Sequence, residues 1–297
     1  MGAGALRSYQ QATTLHQMPI NLIGVAISTA FFPKLTEEVG EENEKKFQST
    51  LRQAFRMIIW ISLPVAVISY FARGYVTSFI KNGGDQLIAS VLGTLAIAIF
   101  ARSVFHIVSR GFYAKQDTKT PFIVSLIAIG IATVLAVVVT QLGWGPEGLG
   151  WMQSLGAVAE VVALTIILHF RSNKTLFTKS FWHSVLKMLF AAVITGCVAY
   201  SMTKFFPLKY DDASFFITFP KFCLITLVSL IAYVVAGYFL GIEEIYPVGV
   251  LDVESQRVAE VEHLLGHRVV AASNSINTYL LQFAQTVLHE SLGDSAA

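Results

Sequence analysis

The chain has 297 residues, 54% of them hydrophobic and only 13% charged, with a formal net charge of +2 at pH 7 and a mean hydropathy of +0.61. A soluble globular domain carries about 25% charged residues, so half the usual solvating shell is missing, which excludes a soluble protein with a core of this size. The nearly balanced charge supplies no basic field for a nucleic-acid partner.

The charge deficit is concentrated. No Asp, Glu, Lys or Arg occurs from Ser8 to Pro33, Met57 to Ala72, Leu87 to Ala101, Pro121 to Pro146, Met188 to Thr203 or Phe222 to Ile242. A helix needs about 20 mostly apolar residues to cross a hydrocarbon core of about 30 Å, and in lipid its backbone polar groups must be satisfied within the segment. The pattern predicts helices over about 8–32, 55–80, 87–110, 121–142, 148–170, 183–204 and 216–240. The fold class is therefore all-α, a polytopic transmembrane bundle of about seven helices over 1–247. Residues 248–297 are expected to form a short cytoplasmic, amphipathic helical tail.

Turn residues separate the spans: Lys81 to Asp85, Gly143 to Pro146, and Pro207 to Ser214. Pro19 and Pro64 fall inside spans and predict kinks. Cys197 and Cys223 both lie in apolar runs and read as small buried or lipid-facing residues, with no disulfide or redox role. Met1 to Tyr9 lacks the apolar core and small-residue site of a cleavable signal peptide.

Lys and Arg in the connections set the orientation. One set of loops holds twelve: Lys34, Lys45, Lys46, Arg52 and Arg56, then Arg110, Lys115 and Lys119, then Arg171, Lys174, Lys179 and Lys187. The other holds six: Arg7, Arg73, Lys81, Lys204, Lys209 and Lys221. The first set is read as cytoplasmic, which puts the N-terminus outside and the C-terminus inside. An odd number of spans with an outside start points to a chain that is part of something longer. From Asp252 onward the tail has six acids, two arginines and three histidines, with Val258, Val261, Leu265 and Val269 at helical spacing. His263 and His267 stand four apart, but no third ligand accompanies them, so neither a metal nor a cofactor is expected.

Polar residues inside membrane spans are where function concentrates. On the first helix Gln10, Thr14, Gln17 and Asn21 step by four, three and four onto one face, with Thr13 and His16 beside it. Such a stripe either lines a hydrated cavity or serves as hydrogen-bonding glue between helices. On the third helix Arg102, His106 and Arg110, spaced by four, make a basic ridge. Arg102 lies deep enough to need an anionic partner, which is either a substrate phosphate or Glu160 in the fifth helix. Glu160 is correspondingly either that ion-pair partner or a proton- or cation-coupling residue. There is no nucleophile elbow, phosphate-binding loop, dinucleotide glycine pattern or metal-ligand cluster, so an enzyme is not expected.

Two stretches carry a resemblance. The run from Met18 to Leu35, MPINLIGVAISTAFFPKL, and the turn from Gly111 to Pro121, GFYAKQDTKTP, are similar to the MurJ/MviN family of lipid II flippases, within the multidrug/oligosaccharidyl-lipid/polysaccharide exporter superfamily. In the second motif a charged turn leads to Pro121 in the first turn of the next helix, a favoured place. The match covers residues 8 to about 240. It implies the C-terminal half of a fourteen-helix, two-lobe architecture, beginning at the eighth helix. The expected function is that of the C-terminal lobe of a lipid II flippase, working by alternating access in the bacterial cytoplasmic membrane. Its expected partners are membrane lipids, the lipid-linked peptidoglycan precursor, and an N-terminal lobe or partner subunit that supplies most of the pyrophosphate-gripping arginines.

Under that reading the candidate substrate contacts are Gln10, Thr14, Gln17, Asn21, Arg102 and His106, and Glu160 is the candidate proton- or cation-coupling residue. The resemblance implies a lipid-tail groove between the last two helices, whose apolar residues include Leu186, Leu189, Phe190, Val193, Phe222, Leu224 and Leu227. The sequence also departs from the family. Thr14 stands where many members have an arginine, and His106 stands where they have a lysine. The fourth helix offers only Thr133 in place of a cation-linked asparagine. Two alternatives remain: another exporter of the superfamily, or a transport-inactive membrane scaffold recruiting a partner through its tail.

Overall fold

A computed structural model of the chain describes residues 3–78, 85–172, 176–208 and 215–245. The expected tail with His263 and His267 lies outside the described residues, as does most of each turn at 81–85 and 207–214. The elements are α1 (Ala3–Ile20), a π-helical turn (Asn21–Val25), α2 (Ala26–Gly40), α3 (Glu44–Phe71), α4 (Arg73–Ser78), α5 (Gln86–Ala114), α6 (Lys119–Gln141), α7 (Gly145–Arg171), α8 (Lys179–Phe205) and α9 (Phe215–Phe239), then a 3-10 turn at Glu243–Ile245. α1, the π turn and α2 run on as one rod. Among the described residues seven helices are long and apolar enough to cross a membrane.

α5 is the centre: α7, α3, α1 and α2 all pack on it. α6 lies at the periphery against α7, and only 6% of its most apolar stretch is buried, against 67% for α5. α8 and α9 pack on each other, and α8 joins them to the bundle through α3. Lipid tails are as apolar as leucine, so helices in a membrane associate by close packing of small residues. That is what the contacts show. Ala54, Ala98, Ala101, Ala157 and Ala191 are buried, and a Cβ on Gly150 would run into the Thr94 side chain. Larger side chains fill the remainder: Phe47, Leu51, Phe55 and Ile58 of α3 meet Ile107 and Phe112 of α5 and Leu164 and Leu168 of α7 in one buried cluster.

Polar side chains tie the bundle at its two ends. At the end formed by Glu44, Ala114, Lys119 and Arg171, Lys115 pairs with Glu44 at 2.8 Å and Arg171 with Asp117. Thr50 donates to Glu38 at 2.6 Å. There too Gln48 and Arg52 of α3 hold the backbone carbonyls of Ser172 and Leu176 between α7 and α8. Arg56 pairs with Glu243 at 2.9 Å and with Glu244. At the opposite end the Tyr75 hydroxyl donates to the Phe206 carbonyl, and Ser90 donates to Glu147 at 2.7 Å.

The helices overrun the spans read from hydropathy, because hydropathy marks where the apolar stretch stops and the helix continues into water. The first runs to Gly40 instead of 32, with Pro33 inside it. The second begins at Glu44, capped by Asn43, and breaks at Ala72 before the short α4. Pro19 lies two residues before the start of the π turn, a wide turn of the kind that absorbs local disruption. Pro64 sits within a continuous α-helix.

The turn of the GFYAKQDTKTP motif has a definite construction. Gln116 adopts a left-handed conformation (φ 59°), its N–H donates to the Tyr113 carbonyl, and the Asp117 N–H reaches back to Phe112. This closes α5 with a Schellman motif. Asp117 then accepts from the Thr120 N–H at 3.0 Å and from the Thr120 hydroxyl at 2.7 Å, so it starts α6 as well. Its carboxyl is held below the usual carboxylate range, first by the Thr120 hydroxyl and further by Arg171.

Candidate functional site

α1 has two faces. Ala12, His16, Ile20 and Ile23 are buried, and α5 is the helix on which α1 chiefly packs. Gln10, Thr14, Gln17 and Asn21 are all exposed on the other side. Thr14 donates back to the Gln10 carbonyl at 3.0 Å. Among the described residues the side chains of Gln10, Gln17 and Asn21 have no partner on another helix. The stripe is therefore not glue within the described bundle, since glue would be turned inward.

The basic ridge of α5 lies behind α1. His106 sits against Gly24 in the π turn, so close that a Cβ there would fall 2.8 Å from the ring and 2.9 Å from Ser103 Cα. Arg110 stacks over the Phe32 ring at 4.9 Å. Arg102 donates from Nη1 to Glu160 Oε2 at 2.7 Å, which answers the need for an anionic partner within the bundle. The six residues expected to contact substrate therefore do not converge. Four lie on the outer face of α1; Arg102 and His106 lie on the helix that covers its inner face.

Glu160 is the buried member of its pair, 2% exposed against 32% for Arg102. Its second oxygen accepts from the Ser125 hydroxyl of α6 at 2.5 Å. The pair borders a cavity of about 280 Å³, lined also by Tyr9, Thr133, Gln153 and Gly156. Tyr9 donates to Gln153 at 2.6 Å, linking α1 to α7. Ser125, Tyr9 and Gln153 escaped the sequence reading, because a lone hydroxyl or amide in a helix carries no spacing signal. The one available hint was that Ser125 is the single polar residue between Pro121 and Gly130.

A second cavity, of about 390 Å³, opens between α8 and α9 and is lined by Phe190, Ile194, Val235, Ala236 and Phe239. Leu186, Leu189, Phe190, Val193, Leu224 and Leu227 are exposed, as lipid-facing side chains are. Cys197 and Cys223 are free and exposed. Among the described residues no group of three or more His, Cys, Asp or Glu side chains is placed to hold a metal ion.

Comparison with known proteins places this architecture. A family model described as "Lipid II flippase MurJ" matches residues 1–221. The chain is 19% identical over 244 residues to a probable lipid II flippase MurJ of Rhizobium tropici, covering 80% of this chain and 46% of the relative. It is 22% identical to the corresponding Borreliella burgdorferi protein, with 82% and 48% covered. The Burkholderia cenocepacia lipid II flippase MurJ is 30% identical over 148 residues, 48% of this chain and 27% of the relative. A solved structure of lipid II flippase MurJ in an inward closed conformation shares the fold with a TM-score of 0.64 at 21% identity, over 80% of this chain and 48% of that one. The chain thus spans about half the length of the curated relatives it matches. By the family model over residues 1–221, this multi-pass membrane protein belongs to the lipid II flippase MurJ family.

Proposed function

We propose that the chain acts as one lobe of a lipid II flippase, presenting the outer face of α1 to the anionic head of the lipid-linked peptidoglycan precursor. The observation that carries this reading is the exposure of Gln10, Thr14, Gln17 and Asn21 together on a helix that crosses the membrane. An amide transferred to hydrocarbon without a hydrogen bond costs roughly 2–7 kcal/mol. Three such amides, Gln10, Gln17 and Asn21, on one outward face therefore call for water or a polar ligand in place of lipid. The opposing wall of that aqueous route belongs to further helices of a longer chain or to a partner subunit. The prenyl tail stays in the bilayer along the apolar groove between α8 and α9, where Phe190, Ile194, Val235 and Phe239 offer only hydrocarbon surface. The excess of Lys and Arg at the Lys115 end orients the N-terminus outward and the C-terminus to the cytoplasm of a bacterium. Glu160 serves as the coupling residue.

Native mass spectrometry of the chain titrated with lipid II tests this. Replacing the stripe together, Gln10→Leu, Thr14→Val, Gln17→Leu and Asn21→Leu, leaves the buried face of α1 untouched. Affinity should fall about tenfold or more, since several polar contacts worth about 1 kcal/mol each are lost. Unchanged affinity in a folded variant would remove the reading.

A further inference from the structure

α9 packs chiefly on α8 and meets the rest of the bundle through α4 and α3. On α3 two contacts are specific. The Trp60 ring stacks on the Tyr233 ring at 4.1 Å, and Arg56, one turn away, takes both acids of the turn that follows α9. That turn is built to present them. Gly241 adopts a left-handed conformation (φ 62°), its N–H donates to the Tyr238 carbonyl, and the Ile242 N–H reaches back to Gly237. This Schellman closure ends α9, turns the chain off the helix axis and seats Ile242 in the core. Arg56 Nη2 then pairs with Glu243 at 2.9 Å and Nε with Glu244. From α8, Lys187 Nζ donates to the Gly241 carbonyl at 3.4 Å.

The same junction bounds one end of the apolar groove. Val235, Ala236, Phe239 and Leu240 line the cavity of about 390 Å³ from α9, facing Phe190 and Ile194 of α8. Leu240 is therefore the immediate neighbour of the gripped turn, and a helix end held at Gly241, Glu243 and Glu244 cannot leave α8 without breaking those contacts. The junction is also unsaturated. Among the described residues the Tyr233 hydroxyl and Glu244 Oε2 are both buried without a hydrogen-bond partner, although the two side chains lie within electrostatic reach of each other. Buried polar groups left unpaired carry a cost that a rearrangement would recover.

We propose that Arg56 and the Glu243–Glu244 turn form an ionic latch on the groove between α8 and α9. Latched, it holds the end of α9 against α3 and keeps the groove narrow; released, it lets that end swing out and admits a hydrocarbon chain. The two acids suit repeated opening. The Glu243 side chain is 78% exposed and returns to water at once. Glu244 is only 9% exposed, but on release it meets the unpaired Tyr233 hydroxyl, so it exchanges one donor for another and is not stranded. A groove that accepts a chain only when open has its apparent affinity reduced by the fraction of time it is open. The latch and its motion rest on this geometry; only the nature of the occupant rests on the function proposed above.

The test uses the full chain in lipid nanodiscs. Spin labels at His183→Cys and Tyr238→Cys, both exposed and near the latched end, report the α8–α9 separation by double electron–electron resonance, with Cys197 and Cys223 replaced by serine. The native cysteines, labelled in a chain without new ones, report the half of the two helices nearer their connection. Arg56→Met, Glu243→Gln with Glu244→Gln, and Gly241→Ala, which strains the left-handed turn, should each lengthen and broaden the first distance and leave the native one unchanged. Arg56→Glu with Glu243→Arg and Glu244→Arg should restore the wild-type distance; thermal melting shows that each variant is folded. The occupant is probed with a polyprenol that carries a photoreactive diazirine and no phosphate. If the latched groove is open about a tenth of the time, labelling of Phe190 and Phe239 relative to Ile127 on α6 should rise by up to about tenfold on unlatching. Unchanged distances in the folded Arg56→Met and double-glutamine variants would overturn the latch, and variants that open without gaining label would overturn its role as a gate. Failure of the latch leaves the stripe titration above untouched, whereas a stripe that does not bind lipid II leaves these distances and labels standing.

Discussion

Replacing Gly24 by alanine adds one methyl group at the closest approach of the first helix to α5. That methyl would fall 2.8 Å from His106 Cδ2, 2.9 Å from Ser103 Cα and 3.2 Å from the Ser103 carbonyl oxygen. Comfortable carbon–carbon separation is about 3.5–4.0 Å. The imidazole can swing aside, but Ser103 Cα belongs to the backbone of α5, which is packed on its other sides by α3 and α7. The two helices must therefore part by several tenths of an ångström along the π turn. Overpacking of this kind costs about 1–3 kcal/mol, while the helix propensity gained by Gly→Ala returns at most about 1 kcal/mol. The net loss should be about 1–2 kcal/mol, read as a lower unfolding midpoint in detergent. Gly130→Ala is the internal control: nothing lies within 4 Å of its added methyl, so it should be neutral or slightly stabilising. Equal stability of the two variants would refute the claim that close backbone approach fixes this junction.

Three further outcomes follow from the geometry. Arg102→Ala should cost about 3 kcal/mol by stranding Glu160, and Arg102→Ala with Glu160→Ala should recover most of it; failure of the double change to recover stability in a denaturation series would dismiss the ion pair as the reason. Gln116→Gly should stabilise by about 1 kcal/mol, because glycine adopts the left-handed conformation at φ 59° without steric cost; a melt shows it. Asp117→Asn should lower the midpoint at neutral pH. The folded carboxyl is held below its unfolded value, so its contribution is complete above the ordinary carboxylate range and disappears as pH falls through the lowered value. Melts of wild type and Asp117→Asn should therefore converge in acid.

The membrane spans were legible because hydrocarbon selects on a single property, the absence of charge over about 20 residues. Their ends were less so. α2 carries Pro33 and then Lys34, Glu37 and Glu38, which read as an exit from helix, yet the chain stays helical to Gly40, and Glu42 then turns left-handed. The π turn at Asn21–Val25 left no trace in the periodicity, since one extra residue per turn displaces a stripe without erasing it. Gln10, Thr14, Gln17 and Asn21 were recognisable as a face, and that face is exposed. Their separation from Arg102 and His106 was not recognisable, because spacing orders residues within a helix and says nothing of which neighbour covers which side. Arg102 with Glu160 was foreseeable as a pair from two opposite charges in apolar runs, whereas Ser125 became visible only when α6 was seated on α7.

Single cysteines placed along α1 and α6 test the central claim, that the outer face of the first helix meets water inside the membrane. In vesicles, with Cys197 and Cys223 replaced by serine, a small water-soluble thiol reagent is applied to cysteines at Gln10, Thr14, Gln17 and Asn21. Cysteines at Ile127 and Val134, exposed on peripheral α6, report the lipid-facing rate. The four stripe positions should react well above the two on α6. Reaction at the slow α6 rate along the whole stripe would contradict the account.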